Sequence, residues 1–590
     1  MSDHPVSSPA AGSSGHGGTP AVAGSKPALG AAAVRLVRAG NGAIVNEAIL
    51  DNARLVKHQD FTPYQLTGGV WVLPGPSLNA AVIEGPDGLI VWETGENIEH
   101  GKRYRELIRS ISTKPIKAVI YSHTHYTLGT SAIIEGELDV KVIGHPKLNE
   151  NMQVATLGSY FPEIEPLQRA RAVQHAQMFL PEQGEDAKHG FFIEPGERGF
   201  VPVNTPVRHG EELTVAGIRL QFFTEGGSDT DDCTTVWLPE HKVALNNILW
   251  PWQPNFYTPR GAKFRDPRIW SEALRHILAL QPEYLINQHG RSIAGREEIG
   301  RTLRNYLDFT SLVLDQTLRG ILQGKGPEEL RDFIRLPRHL AAEPWLFESY
   351  GRMDWHAPYI MNHAVGWWDG DAATLAKLPP QQIAERMVPL LGGRDKILVA
   401  AREARAKGEL AWALELLNYP FRLTPADAEI RQLKADLLRE SARACTASIT
   451  RGFMLSQALA LEGKITLPRV VPPTPQQIAA NPTTFVNQMR VRVDPVKAQD
   501  TDAVMRFDFT DGTRQSVALH LRRGVTEFVE RPDRHYRQAD IVLTLDARCF
   551  AALFLSSESL EALVDRQAVV ITGDKAGASA FLALFDSLRP

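Results

Sequence analysis

A layered α/β domain, then an all-helical domain, then a small α+β unit is the fold class the sequence predicts. Three observations carry this prediction. Between about residues 65 and 300, short β-rich runs alternate with polar helical stretches. From about 300 to 465, apolar residues recur every three or four positions. Beyond "LPRVVPPTPQQIAANP" (467–482), with its five prolines, alternation with a period of two returns. A chain of 590 residues also exceeds what one hydrophobic core holds. The expected divisions are a disordered tail over 1–33, an α/β domain over 34–310, a helical domain over 311–467 and a C-terminal unit over 475–590.

In the α/β part, "NAAVIEGPDGLIVWETG" reads as a hairpin turning at Pro86-Asp87-Gly88. A polar helix, "EHGKRYRELIRSIS", follows, and then a buried strand, "IKAVIYSHTH", which ends on His123 and His125. "VKVIGH", "LTVAGIRLQFFTEGG", "TTVWLPEHKVALNN" and "PEYLINQHG" each read as strands running into loops. In the helical part, "ILVAAREARAKGELAWALELLNYPFRLTPADAEIRQLKADLL" has the pattern of helical hairpins whose small residues allow close approach. In the last unit a turn is expected at Asp511–Gly512, and "ADIVLTLDARCFAALFL" reads as a strand entering an apolar helix. That unit shows no cluster of His, Cys or carboxylates, so binding or assembly is expected of it.

Charge excludes some partners. The 64 basic and 68 acidic residues nearly cancel and form no basic block, so a nucleic-acid partner is not expected. No apolar run approaches the ~18 residues of a membrane span. The N-terminal stretch lacks the charged start and Leu-rich core of a secretory signal, and the three cysteines are odd in number and far apart. A cytoplasmic location follows as the expectation.

The chemistry centres on "SHTHYTLGT" (122–130). Two histidines two apart at a strand end point to one side and can share one cation. Asp229, in the Gly-rich acidic loop "TEGGSDTDDCTTVW", and His289 in "NQHG", again where a strand meets a loop, are further candidate metal ligands. Tyr126, Asp231 and Asp232 are the nearest candidates for moving protons. In "NNILWPWQPNFYTPRGAKFRDPRIW", Trp250, Trp252 and Tyr257 suit an apolar substrate body, and Asn255 with Arg260 suits an anionic head. Glu93 and His145 stand at strand ends without an assigned role.

These stretches, with "GWWDGDAATLAKLPP" and "AREARAKGELAWALELLNYPF", resemble the alkyl sulfatases of the metallo-β-lactamase superfamily over about residues 65 to 590. The resemblance implies an αββα sandwich, a helical dimerisation domain, a sterol-carrier-protein-like C-terminal domain with an apolar tunnel, and a homodimer. It also implies two zinc ions bound through H-x-H-x-D-H, a loop Glu, a bridging Glu and a late His. On this chain His123 and His125 match, whereas Thr127 and Leu128 stand where Asp and His belong. Asp229 takes the place of the loop Glu, Cys233 of that loop's second Glu, Asn247 of the bridging Glu, and His289 of the late His. The first metal position is thus kept and the second is largely lost.

One divalent ion per chain is therefore expected, zinc or alternatively iron, in a hydrolase acting on a small molecule with a lipophilic body and a polar or anionic head. Two other readings share the same residues. One is a non-haem iron enzyme of two His and one carboxylate doing oxidative chemistry; the other is a non-catalytic binding protein.

Overall fold

The computed structural model describes residues 34–154, 160–512 and 515–587. The expected tail over 1–33 lies outside the described residues.

Two β-sheets face each other. The first orders its strands 64–67, 70–73, 80–85, 88–92, 116–120, 141–144 and 205–206 from edge to edge, antiparallel up to 88–92 and parallel beyond. The second runs 212–215, 218–223, 235–238, 243–246, 284–287 and 293–294, with 243–246 and 284–287 parallel. Val72, Ile83, Ile90, Trp92, Ile120, Phe222, Val236, Leu245 and Ile286 fill the space between them. Both faces of these inner strands are buried, which explains their nearly unbroken apolar runs.

Helices close the outer faces. Helix Ile98–Ile111, capped by Asn97, presses Tyr104 and Ile108 on the first sheet. Helix Pro267–Leu280, with Asp266 as cap and Pro267 in its first turn, lays Trp270, Leu274 and Ile277 on the second. The hairpin at Asp87 forms as expected, with Gly85 opposite Gly88.

Helix Arg296–Leu322 runs unbroken through the expected boundary at 310/311. Its residues Leu303, Tyr306, Phe309 and Val313 belong to the core that also holds Trp270, so the α/β layer continues into the helical region. The hairpins expected there are helices Arg394–Ala406, Leu410–Leu423 and Ala428–Ala444, meeting through Ala401, Ala404 and Ala413. Arg451, 2% exposed, reaches from helix Ser448–Leu461 to the carbonyls of Ile44 and Ala187.

The C-terminal unit is a five-stranded sheet ordered 525–529, 516–522, 502–509, 541–545, 569–573, covered by helices. It does hold a polar cluster, contrary to the sequence reading. His520 Nδ1 lies 2.9 Å from His535 Nε2, and its Nε2 lies 3.2 Å from Asp502. His520 and Asp502 face each other from the ends of paired strands, and the sequence keeps them eighteen residues apart.

Candidate metal centre

Strand ends from both sheets meet along one edge of the sandwich. Glu93 follows strand 88–92, His123 follows 116–120, Asp229 lies after 218–223, Asn247 follows 243–246 and His289 follows 284–287. The Thr234 N–H donates to the Ser122 carbonyl (2.7 Å), tying the Asp229 loop to the histidine segment.

Among the described residues, one group of three or more His, Cys, Asp or Glu brings its ligand atoms within 4.8 Å of one another: His123, His125 and Asp229. His123 Nε2 and His125 Nδ1 are 3.1 Å apart, and Asp229 Oδ2 is 3.0 Å from His125 Nδ1. The route to this convergence differs from the one the spacing suggests. The strand ends at Ile120, His123 is still extended, and His125 sits in a 3₁₀ turn over Thr124–Tyr126. Strand alternation therefore does not align the pair; the turn swings His125 back so that a different ring nitrogen faces the same point.

The donor set suits a divalent cation. Burial pushes the Asp229 carboxyl upward, but His125, His123 and Arg265 outweigh it and hold it ionised, well below the usual range. Burial likewise lowers His123 and keeps its ring neutral. Its Nδ1 lies 2.9 Å from Ser122 Oγ, and with that N–H donated to the hydroxyl, Nε2 presents its lone pair.

Behind His123 lies a layer that the sequence reading missed. Gln288 donates to Glu93 Oε2 (2.8 Å) and Ser122 Oγ (3.0 Å), while the Ser122 N–H donates to Glu93 Oε1 (2.6 Å). Glu93 is fully buried at φ +66°, a region unfavourable to side chains, and burial raises its pKa to about 7. Its backbone angle and its place beside the motif are tertiary facts, and "VWETG" marks only a strand end.

The positions where ligands were expected and absent are closed by neutral groups. The Thr127 hydroxyl donates to the Thr124 carbonyl (3.2 Å). Asn247 donates to Ser228 Oγ and Cys233 Sγ, both at 3.2 Å, and burial pushes the Cys233 thiol up to about 11, leaving it protonated. Gly129 completes the turn; a Cβ there would come within 2.1 Å of the Thr94 carbonyl.

His289 does not join the three ligands. Its Nδ1–H donates to the Ser77 carbonyl (2.6 Å), so Nε2 accepts from the Tyr126 hydroxyl (3.2 Å). That lone pair faces a phenol whose ring packs edge-on against His123, His125 and His289. Burial raises the Tyr126 pKa far above its ordinary value, so the hydroxyl keeps its proton.

Asp231 and Asp232 separate. Asp231 turns outward to Lys147 (3.2 Å) and Asn151 (3.0 Å), away from the centre. Asp232 is fully buried, accepts from Thr230 Oγ1, and its charge bears on both His123 and His145.

Arg260 is buried near Asp229, Tyr126 and Tyr350. Desolvation and then Arg265 lower its pKa, and those three groups pull it back up. Arg265, also buried, donates to the carbonyl of buried Asn255 (2.7 Å). His175 Nε2 lies 2.8 Å from the Tyr350 hydroxyl. Arg265, His175 and Tyr350 went unnoticed in the sequence, where only "RDP" beside Arg260 hinted at the second guanidinium. Trp250 is core: its indole N–H donates to the Asn247 carbonyl (2.8 Å) and its ring meets Trp270. Trp252 stacks on Tyr350, and Tyr257 on Tyr359. The aromatic run thus builds walls behind the site, because interior packing claims large rings first.

Glu96, 6% exposed, accepts from the Glu194 N–H (2.8 Å), and burial raises its pKa to about 8. Its native form holds a proton that the unfolded chain releases near 4.5, so stability falls as pH rises from 4.5 to 8. Glu96→Gln removes this loss, and the melting temperature of the variant at pH 9 is expected to exceed that of the parent by several degrees, with little difference at pH 4. Equal melting temperatures at pH 9 would refute the assignment.

Comparison with known proteins matches residues 74–289 to the metallo-beta-lactamase superfamily, 326–464 to alkyl sulfatase dimerisation and 474–590 to alkyl sulfatase C-terminal. A linear primary-alkylsulfatase of Pseudomonas sp. (strain ATCC 19151) is 30% identical over 524 residues, covering 86% of this chain and 98% of that protein. An (R)-specific secondary-alkylsulfatase of Pseudomonas sp. is 26% identical, with 87% and 79% covered. The solved structure of the stereoselective inverting sec-alkylsulfatase Pisa1 from Pseudomonas sp. superimposes with a TM-score of 0.78 at 24% identity, over 93% of this chain and 88% of that one.

Proposed function

From the premise that the chain belongs to the alkyl sulfatases of the metallo-β-lactamase superfamily and is a metal-dependent, sulfatase-type hydrolase, we propose that it works with a single zinc ion held by His123, His125 and Asp229. The substrate is a sulfate monoester of a lipophilic alcohol, and the products are the alcohol and hydrogen sulfate. The observation that carries this reading is the convergence of those three donors, with neutral side chains at Thr127, Asn247 and Cys233.

An ion in this donor set supplies Lewis acidity, polarising an ester oxygen and drawing the pKa of adjacent water toward ~7. The chain's own groups do the rest. Arg260 and Arg265 supply positive charge for the sulfate oxygens, with Asn255 beside them. Asp232, charged near His123, is the candidate acceptor for the proton of the attacking water. Tyr126, its proton directed to His289, packs its ring edge-on against His123 and so holds that imidazole in place.

A cavity of about 550 Å³ in the C-terminal unit, lined by Phe507, Phe550, Leu553 and Phe554, supports a sterol-carrier-like role for that domain in holding the lipophilic body. Three free, buried cysteines support a cytoplasmic location. Release of inorganic sulfate from octyl sulfate tests the reading; no release from alkyl sulfates of any chain length by zinc-loaded protein would overturn it. The same donor set also suits ferrous iron, and that reading requires bound iron with oxygen consumed in step with substrate.

A homodimer through the helical domain is supported by Val365, Trp367, Leu375 and Trp412, large apolar side chains left exposed there. Trp367→Glu is expected to weaken the dimer by roughly 30-fold or more, about 2 kcal/mol for a central aromatic. Light scattering across a dilution series reads this, and a dimer of unchanged strength would place the interface elsewhere.

A further inference from the structure

Behind Trp252, on the side of the first helix Glu47–Val56, lies a cavity of about 330 Å³. Its wall is apolar and aromatic, formed in part by Val56, Phe191, Phe192 and Trp252. No carboxylate lines it. Lys57 does, and among the described residues its ammonium meets no carboxylate or hydrogen-bond acceptor, only the Trp252 ring 5.9 Å away. A second lining lysine, Lys188, is already neutralised by Glu182 at 2.5 Å. Asn52, 8% exposed, adds a side-chain amide with no partner among the described residues, and His189 adds a ring that burial, Arg451 and Lys57 keep neutral.

A part-buried cation with an apolar wall on one side and no counter-ion is a ready partner for an anion. Burial of the part-exposed side chain lowers the Lys57 pKa to about 8. An amide and an imidazole beside it add hydrogen-bonding groups that an oxyanion can use, while the aromatic wall offers a dry surface. The cavity is not the metal centre. Trp252 stands between them, one side toward Lys57 and its ring 5.3 Å from that of His289.

We propose that this cavity is a second binding site, which takes one oxyanion carried on an apolar body, with Lys57 as its countercharge and the Phe191–Phe192–Trp252 wall against that body. The site does not depend on the metal or on the reaction proposed above. Its ligand is an anionic amphiphile, either a sulfate-type molecule like the substrate or a carboxylate of similar length.

The test uses the intact protein with octane-1-sulfonate, whose C–S bond is not hydrolysed, and separately with octanoate and inorganic sulfate. At pH 8 Lys57 is expected to react readily with an acetylating reagent, and peptide mass spectrometry reads its labelling. At ten times the dissociation constant, an occupied site slows labelling roughly tenfold. Lys434, also lowered to about 8 but in the helical domain, is expected to be unaffected. Protection by octane-1-sulfonate alone assigns the sulfate type, and by both amphiphiles either type. Protection by inorganic sulfate to the same degree would overturn the apolar half of the proposal, and protection by none would overturn the whole. Calorimetry on Lys57→Met provides the second arm. The variant is expected to lose one octane-1-sulfonate site that Arg260→Ala keeps, and equal stoichiometry and affinity in parent and variant would contradict it. Lys57→Gln serves if the Met variant does not fold.

Discussion

Asp229→Ala is expected to abolish sulfate release, with kcat falling by about 10³-fold or more, and to leave the protein without its ion. Asp229 is the only carboxylate in the three-donor group, beside two imidazoles. A divalent ion held by two neutral nitrogens loses the charge pairing that makes the set cohere, and with it the polarising power worth several kcal/mol in the transition state. Asp229→Asn separates charge from shape, keeping one oxygen in place while removing the anion. Both variants are expected to fold, because the surrounding turn is braced by backbone bonds, including Thr94 and Gly95 N–H to the Tyr126 carbonyl (both 3.1 Å). Circular dichroism checks the fold, and turnover of octyl sulfate checks the chemistry. Near-parental turnover in folded Asp229→Ala would remove Asp229 from the centre.

Arg260→Ala is expected to lower kcat/KM by roughly 10²- to 10³-fold, the ~3–4 kcal/mol that one preorganised donor to a developing oxyanion contributes. The guanidinium is buried, and its nearest charged influences are Arg265, which opposes it, and Asp229, which favours it. Like charges disfavour each other, so an anionic head bound beside Arg260 and Arg265 would relieve that repulsion, which is the interaction Arg260→Ala is expected to remove. Arg260→Lys keeps the charge but loses the planar fork, and partial recovery is expected. If Arg260→Ala instead changed only the melting temperature, with kcat/KM intact, the arginine would be a structural clamp.

Much of this was legible in the sequence. Period-two runs and turn residues locate the strands because each inner strand has a distinct composition, and the loops that carry His123, Asp229 and His289 follow from where those runs stop. The histidine pair was found, but the mechanism of its convergence was not: a 3₁₀ turn after residue 123 leaves no period in the sequence. His289 lies at the predicted strand end, yet its lone pair goes to Tyr126, a choice decided by the Ser77 carbonyl 212 residues earlier. The Glu93–Gln288–Ser122 layer joins residues up to 195 apart and has no local signature. Arg265, Tyr350 and His175 were missed for the same reason. The aromatic run 250–257 misled in the opposite direction, since a Trp pattern does not distinguish a wall facing substrate from one facing the core.

The most direct measurement is the metal content of protein purified without added metal or chelator, in ions per chain, with His123→Ala beside it. Close to one ion per chain is expected in the parent and none in the variant. Two ions per chain in the parent would contradict it, because Thr127, Leu128, Asn247 and the engaged His289 would then be supporting a second site that their chemistry does not provide.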